Sequence, residues 1–325
     1  MKKWKMVVVS KIHEAGLSAA APHAHIETLP DAKPDTLRRG MADAHAVILR
    51  AFGRVDAELM DASPELRVVG RHGVGIDNVD LKAAEERGIW VAFTPEANAQ
   101  AVAEFAIGSA LSFHRRIPAA DQAVRNGDWS MRDSAYGFEI NGRTIGVVGA
   151  GRIGARVMEI AVQGFSMKAL YCDIVPRPNL EARLGAEKTS LDDLLTRSDI
   201  VTVHIPATAQ TAGMFNRERF EMMKPSALFI NAARGALHNE DDLIRALETG
   251  QIAGACLDVF ETEPLPLESA LLRLPNVLLS PHLAGQTERS MRSMSLVTKD
   301  ALRVLRGEEP RFPANRPPRP KPPVV

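Results

Sequence analysis

Short apolar runs recur along the chain, separated by stretches whose apolar positions fall three and four apart. The first pattern suits strands buried on both faces of a parallel sheet, and the second suits helices laid across it. Residues 6–9, 46–49, 67–69 and 89–92 read as strands, and residues 34–41, 56–62 and 78–87 as helices. That is a small α/β domain ending near residue 98, with Asp80 placed to cap its last helix. Residues 98–126 carry Val102, Phe105, Ala106, Ala110 and Phe113 at helical spacing and are expected as one long helix. Beyond them, strands are expected at 145–148, 169–172, 200–203, 227–230, 253–257 and 277–279. Helices are expected at 153–161, 192–195, 216–222, 240–247 and 285–305. Regular βα alternation with short connections is the pattern of a doubly wound parallel sheet.

Residues 144–173 organise this second half. An apolar run, Ile145, Val147 and Val148, leads into Gly149, Gly151 and Gly154 in the spacing G-x-G-x-x-G. A helical face of Ile153, Val157, Ile160 and Ala161 follows, then a second run that ends on Asp173. Glycines at such a turn let backbone approach a pyrophosphate, and the open N–H groups of the helix favour its charge. Asp173 lies 19 residues past Gly154 (173 − 154), where an acid accepts from a ribose 2′-OH and repels a 2′-phosphate. NAD is therefore expected over NADP, with Arg177 close enough to keep NADP use open.

Composition narrows the function by exclusion. Lys plus Arg and Asp plus Glu number 40 each, so no global field recruits nucleic acid or an anionic membrane. No run approaches the length of a membrane span. The start M-K-K-W-K-M-V-V-V-S has too short an apolar run for a signal peptide and reads as a first strand. Cys172 and Cys256 both fall in expected buried strands, which suits small core residues and a reducing, cytoplasmic setting. No metal site is expected. The tail R-F-P-A-N-R-P-P-R-P-K-P-P-V-V reads as a semi-extended end with no partner, ahead of a ligand for a polyproline-binding module. The segment to Ile140 with Trp129, Tyr136 and Phe138 is apolar for a loop; it either covers a partner subunit or packs on its own domain.

Candidate chemistry collects where strands end. Arg50 ends one strand of the first domain, and Arg71, His72, Gly73, Val74 and Gly75 form a Gly-rich loop after the next. Parallel strands bring both arginines to one sheet edge, which suits an anionic substrate. In the second domain Arg234 follows F-I-N-A-A, Asp258 ends A-C-L-D with Glu263 in the next loop, and His282 follows V-L-L-S-P. Together they form a set for hydride transfer to a 2-keto acid. Arg clamps a carboxylate, His gives a proton near neutral pH, and Glu orients and favours the imidazolium.

Through the motifs G-A-G-R-I-G, N-A-A-R-G, L-D-V-F-x-x-E-P and S-P-H-L-A-G, the chain resembles the D-isomer-specific 2-hydroxyacid dehydrogenase family. The similarity is greatest to its D-3-phosphoglycerate dehydrogenase branch. That resemblance implies Arg234 as the substrate carboxylate ligand, Glu263 and His282 as the acid–base pair, and Asp258 at the nicotinamide carboxamide. His204, Ile205 and Pro206 match the loop over the nicotinamide, and residues 71–75 match the substrate loop. Arg152, Ile153, Ala232, Ala233, Ala284 and Gly285 belong to the same motifs and count among the cofactor contacts. It implies two Rossmann- or flavodoxin-like doubly wound α/β domains, 1–98 plus 284–325 for substrate and 99–283 for NAD. The active site is then expected in the interdomain cleft, and the protein as a homodimer. The expected substrate is 3-phosphoglycerate or its keto product, with hydroxypyruvate, glyoxylate or another small 2-hydroxyacid as alternatives. A corepressor-like NAD-sensing protein is the alternative of another class. Two departures matter. His72 stands where a small residue is more usual, and without a C-terminal serine-sensing domain serine feedback is not expected.

Overall fold

The computed structural model describes residues 3–324. Met1, Lys2 and Val325, the last residue of the Pro-rich tail, lie outside the described residues. The chain divides into two compact units, Met1–Asn98 with Gln286–Val325, and Ala99–Gly285.

In the smaller unit β1 (Trp4–Val9), β2 (Ala24–Leu29), β3 (Ala46–Leu49), β4 (Val68–Arg71) and β5 (Trp90–Ala92) form a parallel sheet in the order β2-β1-β3-β4-β5. Successive strand residues face opposite sides. Val7, Val9, Val47 and Leu49 pack with Leu37 and Met41 of α2 (Pro34–Met41). Helices α3 (Ala57–Asp61) and α4 (Leu81–Glu86) cover the same face. Met6, Val8 and Ile48 pack on the other face with Ala20 of α1 (Glu14–Ala20) and with α14 (Val297–Leu305). Because both faces are covered, these strands read as unbroken apolar runs. Strand β2 and helix α1 were not expected from the pattern. β2 is an edge strand, A-H-I-E-T-L, with polar residues on it, and α1 is a short run of small residues capped by the His13 ring.

The larger unit opens with α5 (Ala99–His114), α6 (Ile117–Arg125) and α7 (Met131–Ser134). The expected single helix breaks at Arg116, whose φ of 52° is left-handed. Pro118 supplies the reason, since it has no N–H to continue the ladder and restricts the residue before it. Neither α6 nor α7 buries a residue, and Trp129, Tyr136 and Phe138 are mostly exposed. The segment therefore leaves most of its aromatic surface uncovered by its own unit, with Arg143 over the Phe138 ring.

Next come β6 (Thr144–Val148), α8 (Arg152–Phe165), β7 (Lys168–Cys172), α9 (Pro178–Leu184), β8 (Glu187–Lys188), α10 (Leu191–Arg197) and β9 (Ile200–Val203). α11 (Arg217–Met222), β10 (Leu228–Asn231), α12 (Glu240–Glu248), β11 (Gly254–Leu257) and β12 (Val277–Leu279) complete the unit. The order is β12-β11-β10-β9-β6-β7-β8, all parallel. Helices α5 and α8 cover one face and α10 to α12 the other. Both units are doubly wound, as the alternation implied for the larger and the family resemblance for the smaller. The expected last helix is two, α13 (Glu288–Ser295) and α14, joined at Leu296, and it starts late because Thr287 caps the Ser290 N–H.

The Pro-rich tail is not a loose end. It pairs antiparallel to β5 at Ala92 and Pro313. Ala314 N–H donates to the Val91 carbonyl, and Phe93 N–H to that of Phe312. Asn315, buried, accepts from Val91 N–H at 2.7 Å and donates to the Ile89 carbonyl at 2.9 Å. Further on, the Arg67 side chain donates to the Pro322 carbonyl and the Trp4 ring to that of Val324. Proline runs lack donors, so a docked tail covers the β5 edge without offering a new edge of its own.

Replacing Asn315 by Ala leaves two buried backbone groups without that partner, the Val91 N–H of β5 and the Ile89 carbonyl just before it, at about 1–3 kcal/mol each. We expect urea unfolding of Asn315→Ala to show a stability loss of roughly 2–4 kcal/mol. A loss below about 0.5 kcal/mol, the range of ordinary surface changes, would mean that the tail contributes nothing there.

Candidate active site

Strands β6 and β9 are neighbours in the sheet, and the chain winds away from them in opposite directions. At such a point the turns leaving the strands open a crevice. The turn after β6 holds Gly149 at φ +94°, and a Cβ on it would stand 2.6 Å from the His204 carbonyl oxygen that follows β9. A Cβ on Gly154 would stand 2.0 Å from the Gly149 oxygen, so any side chain would push helix α8 off the turn. Gly151 is the N-cap of α8, with no side chain bonded to the first N–H groups of this 14-residue helix. Arg152 is exposed at its first position, and Ile153 is half-buried behind it.

Asp173 follows β7 and reaches back to this turn. Its carboxylate accepts from Ala150 N–H at 2.8 Å and from Val175 N–H at 2.9 Å, with an Arg177 nitrogen at 3.5 Å. A glycine cradle, an open helix start and an acid at the next strand end together fit a dinucleotide. Across the turn, His204 is held by its N–H on the Val148 carbonyl and by its ring on the Thr202 hydroxyl at 2.9 Å. Burial pushes its imidazole down to about 3, so the ring is neutral. Ile205 is half-buried and Pro206 exposed beyond it.

The exits of β10, β11 and β12 carry the remaining groups. Asn231 ends β10, fully buried, and shapes the turn through Ala232 and Ala233: its oxygen accepts from Ala233 N–H, and its nitrogen donates to the Arg234 carbonyl at 2.9 Å. The Asn231 nitrogen also lies 3.0 Å from the buried His238 ring. Gly235 is required by close approach, because a Cβ there would fall 1.9 Å from the Phe260 carbonyl oxygen. The Arg234 turn and the loop leading to Glu263 thus cross backbone on backbone.

Asp258, at the exit of β11, is 1% exposed. Its carboxylate accepts from the Ser280 hydroxyl at 2.6 Å and from the N–H groups of Leu283 and Ala284 at 2.8 Å each. Its own carbonyl accepts from His282 N–H at 2.9 Å. His282 has φ 53°, a left-handed conformation. Its Nδ1 lies 2.8 Å from a carboxylate oxygen of Glu263. Burial alone would raise the Glu263 carboxyl, but the hydrogen bond and charge of His282 outweigh it, with the Phe260 amide and Arg234 adding; the net direction is downward. Glu263 is therefore anionic at neutral pH and holds the imidazole by its Nδ1. Gly285 follows as the last residue of this unit.

The larger unit thus brings the glycine turn, Asp173, His204, Arg234, Asp258, Glu263 and His282 to the carboxyl edge of one sheet. Sequence reasoning missed Asn231, Ser280 and the tether made by Asp258. An acid or amide at a strand end was the available signal, but spacing does not reveal which turn it holds.

In the smaller unit, Arg50 and Arg71 leave adjacent strands, with Leu49 opposite Arg71 in register. Both guanidiniums are engaged in the frame. Arg50 donates to the Lys11 carbonyl and the Gln286 side chain at 3.0 Å each. Arg71 donates to Asn78 at 3.0 Å and to the His72 carbonyl. Asn78 in turn donates to the carbonyls of Arg50 and Gly53. Gly73 is buried and exchanges bonds with Thr94, while Val74 and Gly75 are half-buried. The His72 side chain, expected at the substrate, is 2% exposed and bonds to Ser295 within its own unit.

Residues 107–284 match the family model for the D-isomer specific 2-hydroxyacid dehydrogenase, NAD binding domain. The chain belongs to the D-isomer specific 2-hydroxyacid dehydrogenases. It is thus an enzyme that uses NAD as its cofactor. A glyoxylate reductase of Thermofilum pendens is 40% identical over 95% of this chain and 94% of that protein. A D-3-phosphoglycerate dehydrogenase of Mycobacterium bovis is 38% identical over 93% of this dehydrogenase, which spans only 57% of that relative. Among solved structures, the NADPH-dependent glyoxylate/hydroxypyruvate reductase of Sinorhizobium meliloti in complex with NADP and malonate has a TM-score of 0.87 and 32% identity. That likeness covers 99% of this chain and 100% of the other.

His72 and His238 are 2% and 1% exposed, and burial lowers both imidazoles to about 4, with the charges of Arg50 and Arg71 adding at His72. Unfolded, each would bind a proton near 6.5. Between those values the unfolded chain holds more protons, so stability falls as pH drops. We expect the unfolding midpoint to hold steady down to about pH 6.5 and then fall toward pH 4, at up to roughly 1.4 kcal/mol per pH unit for each ring. Stability that stays level from pH 7 to pH 5 would contradict burial of these rings in neutral form.

Proposed function

We propose that this dehydrogenase reduces a small 2-keto acid, glyoxylate or hydroxypyruvate, to the corresponding 2-hydroxyacid. The observation that carries the reaction is the 2.8 Å contact between His282 Nδ1 and Glu263, on the sheet edge that also presents Arg234 and the glycine turn. When bound, NADH supplies the hydride that C2 of the substrate receives. The Gly149, Gly151 and Gly154 turn and the first N–H groups of α8 would hold the pyrophosphate, and Asp173 would accept from the ribose. Residues 204–206, 232–233 and 284–285 would line the rest of the cofactor. Arg234 clamps the substrate carboxylate. Protonated His282 gives its Nε2 proton to the carbonyl oxygen in reduction and takes it back in oxidation. Anionic Glu263 stabilises the imidazolium. Asp258 has one acceptor position beyond the turn it holds, and that position suits the carboxamide. The loop at residues 71–75 is assigned to the substrate through its backbone.

The choice of a small substrate over 3-phosphoglycerate rests on two supports. The glyoxylate reductase of Thermofilum pendens is 40% identical to this chain, and the phosphoglycerate dehydrogenase 38%. The arginines that motivated a phosphate group, Arg50 and Arg71, direct donors to Lys11, Gln286, Asn78 and His72 within their own unit. A corepressor-like reading loses its ground with membership of an enzyme family. The Arg177 nitrogen near Asp173 supports some use of NADPH. Two free thiols support a reducing compartment, the cytoplasm. Among the described residues no helix is long and apolar enough to cross a membrane.

We also infer a homodimer, formed on the α6–α7 segment. Trp129 is 69% and Tyr136 78% exposed, and Val124 and Phe138 on the same segment are exposed too. Exposed apolar side chains of this size on one segment support an interface. Light scattering should give twice the chain mass, and Trp129→Glu with Tyr136→Glu should yield a folded monomer. A wild-type monomer at micromolar concentration would overturn this.

The reaction is tested by following NADH and NADPH oxidation over a panel of 2-keto acids. Glyoxylate and hydroxypyruvate should turn over faster than 3-phosphohydroxypyruvate; the opposite ranking would overturn the substrate, and flat traces throughout the reaction itself. His282→Asn should lower kcat by about 10²–10⁴, the usual weight of a general acid. Glu263→Gln removes the carboxylate that holds His282 Nδ1, so kcat should fall while the Kd for NADH stays unchanged. An unchanged kcat would remove Glu263 from its role.

A further inference from the structure

Ser295 ends α13, fully buried, and its hydroxyl is the meeting point of three elements of the smaller unit. It donates to the Met291 carbonyl at 2.7 Å. It accepts from His13 N–H, at the start of α1, at 2.9 Å. The His72 Nε2 lies 3.0 Å away. A hydroxyl has one proton to give, and the Met291 carbonyl takes it, so His72 is the donor and carries its hydrogen on Nε2. The packing here leaves no slack. A Cβ on Gly16 would stand 2.4 Å from the Ser295 carbonyl oxygen, and the Thr298 hydroxyl donates to the Gly16 carbonyl at 3.0 Å.

His72 sits between Arg71, whose guanidinium bonds the His72 carbonyl, and Gly73, which is buried with φ 146°. Gly73 is fixed to Thr94 by its N–H and its carbonyl. A fully inserted ring at residue 72 therefore sets the depth and direction of the backbone that emerges at Val74 and Gly75. Glycines on either side of a valine give that backbone little stiffness of its own.

We propose that the His72–Ser295 hydrogen bond is a latch that fixes the loop at residues 73–75 for substrate, making His72 a positioning residue. The proposal rests on the assignment of residues 71–75 to the substrate. An imidazole in this place does through burial what a small residue would leave to the backbone. It ties the loop to α13 and α1 instead of touching the ligand. Substrate affinity should feel the latch, while proton and hydride transfer at the other unit's strand ends should not.

Four variants of the full-length protein, His72→Ala, His72→Gln, Ser295→Ala and the double alanine, would be compared with glyoxylate as substrate at saturating NADH. His72→Ala should raise KM about tenfold with kcat within about threefold and the NADH Kd unchanged. His72→Gln, which returns a donor near the Nε2 position, should recover most of the loss. Ser295→Ala should reproduce the KM change, and the double variant should be no worse than either single one, because both remove the same contact. Amide hydrogen exchange at residues 73–75 should speed up in His72→Ala while β4 keeps its protection. Unchanged KM in a folded His72→Ala, or additive losses in the double variant, would overturn the latch. If the wild type reduces no keto acid, the reaction has failed and exchange alone decides: faster exchange at residues 73–75 supports the latch, and equal exchange overturns it.

Discussion

One buried carboxylate sets the geometry on which the chemistry depends. Withdrawing Asp258 from water costs several kcal/mol unless its oxygens are bonded, and every bond it finds comes from the turn that carries His282: Ser280 before it, Leu283 and Ala284 after it. His282 is thereby held from both sides in a left-handed conformation that an L residue adopts at a cost of roughly 1–2 kcal/mol. Five residues on (263 − 258), the same strand exit delivers Glu263 to the ring. Strand β11 thus supplies both the tether of the histidine's backbone and the partner of its side chain. The imidazole has little freedom left to point elsewhere.

Much of this arrangement was legible in the residue pattern, because its main constraints are local. Buried parallel strands declare themselves as apolar runs, and a parallel sheet puts every strand exit on one edge. That was enough to group Arg234, Asp258, Glu263 and His282 before any coordinates. What escaped was set by tertiary contacts. The edge strands β2 and β8 carry polar residues and lack the signature of buried strands. Pro118 could have signalled the break after α5, but the apolar spacing ran past it. The tail's composition suggested a free end, and only the facing edge of β5 explains why it is ordered. The direction of the His72 ring depended on Ser295, more than two hundred residues away.

The arginines show how a charge pattern misleads when its partners are backbone carbonyls. Two guanidiniums at one sheet edge suggested a doubly charged ligand. Instead Arg50 and Arg71 brace the loops around them, each satisfying oxygens that the strand ends leave open. A carbonyl leaves no trace in the residue list, so a structural arginine and a substrate arginine look alike in one sequence. Arg234 also gives a donor to a backbone carbonyl, that of Ala233 at 2.6 Å, but its turn is braced by Asn231 as well, so the brace does not rest on the guanidinium alone.

The smaller unit is assembled from both ends of the chain. Its core needs Val297, Ala301, Leu302 and Leu305 of α14 against strands made at the other end. During synthesis the first ninety-eight residues therefore wait, with one sheet face covered only in part, by α1, while all of Ala99–Gly285 is made. The larger unit has its whole core within that span and can close first. On the ribosome the cofactor-binding half would then precede the other, and the β1 and β3 surfaces are what a chaperone would meet in the interval.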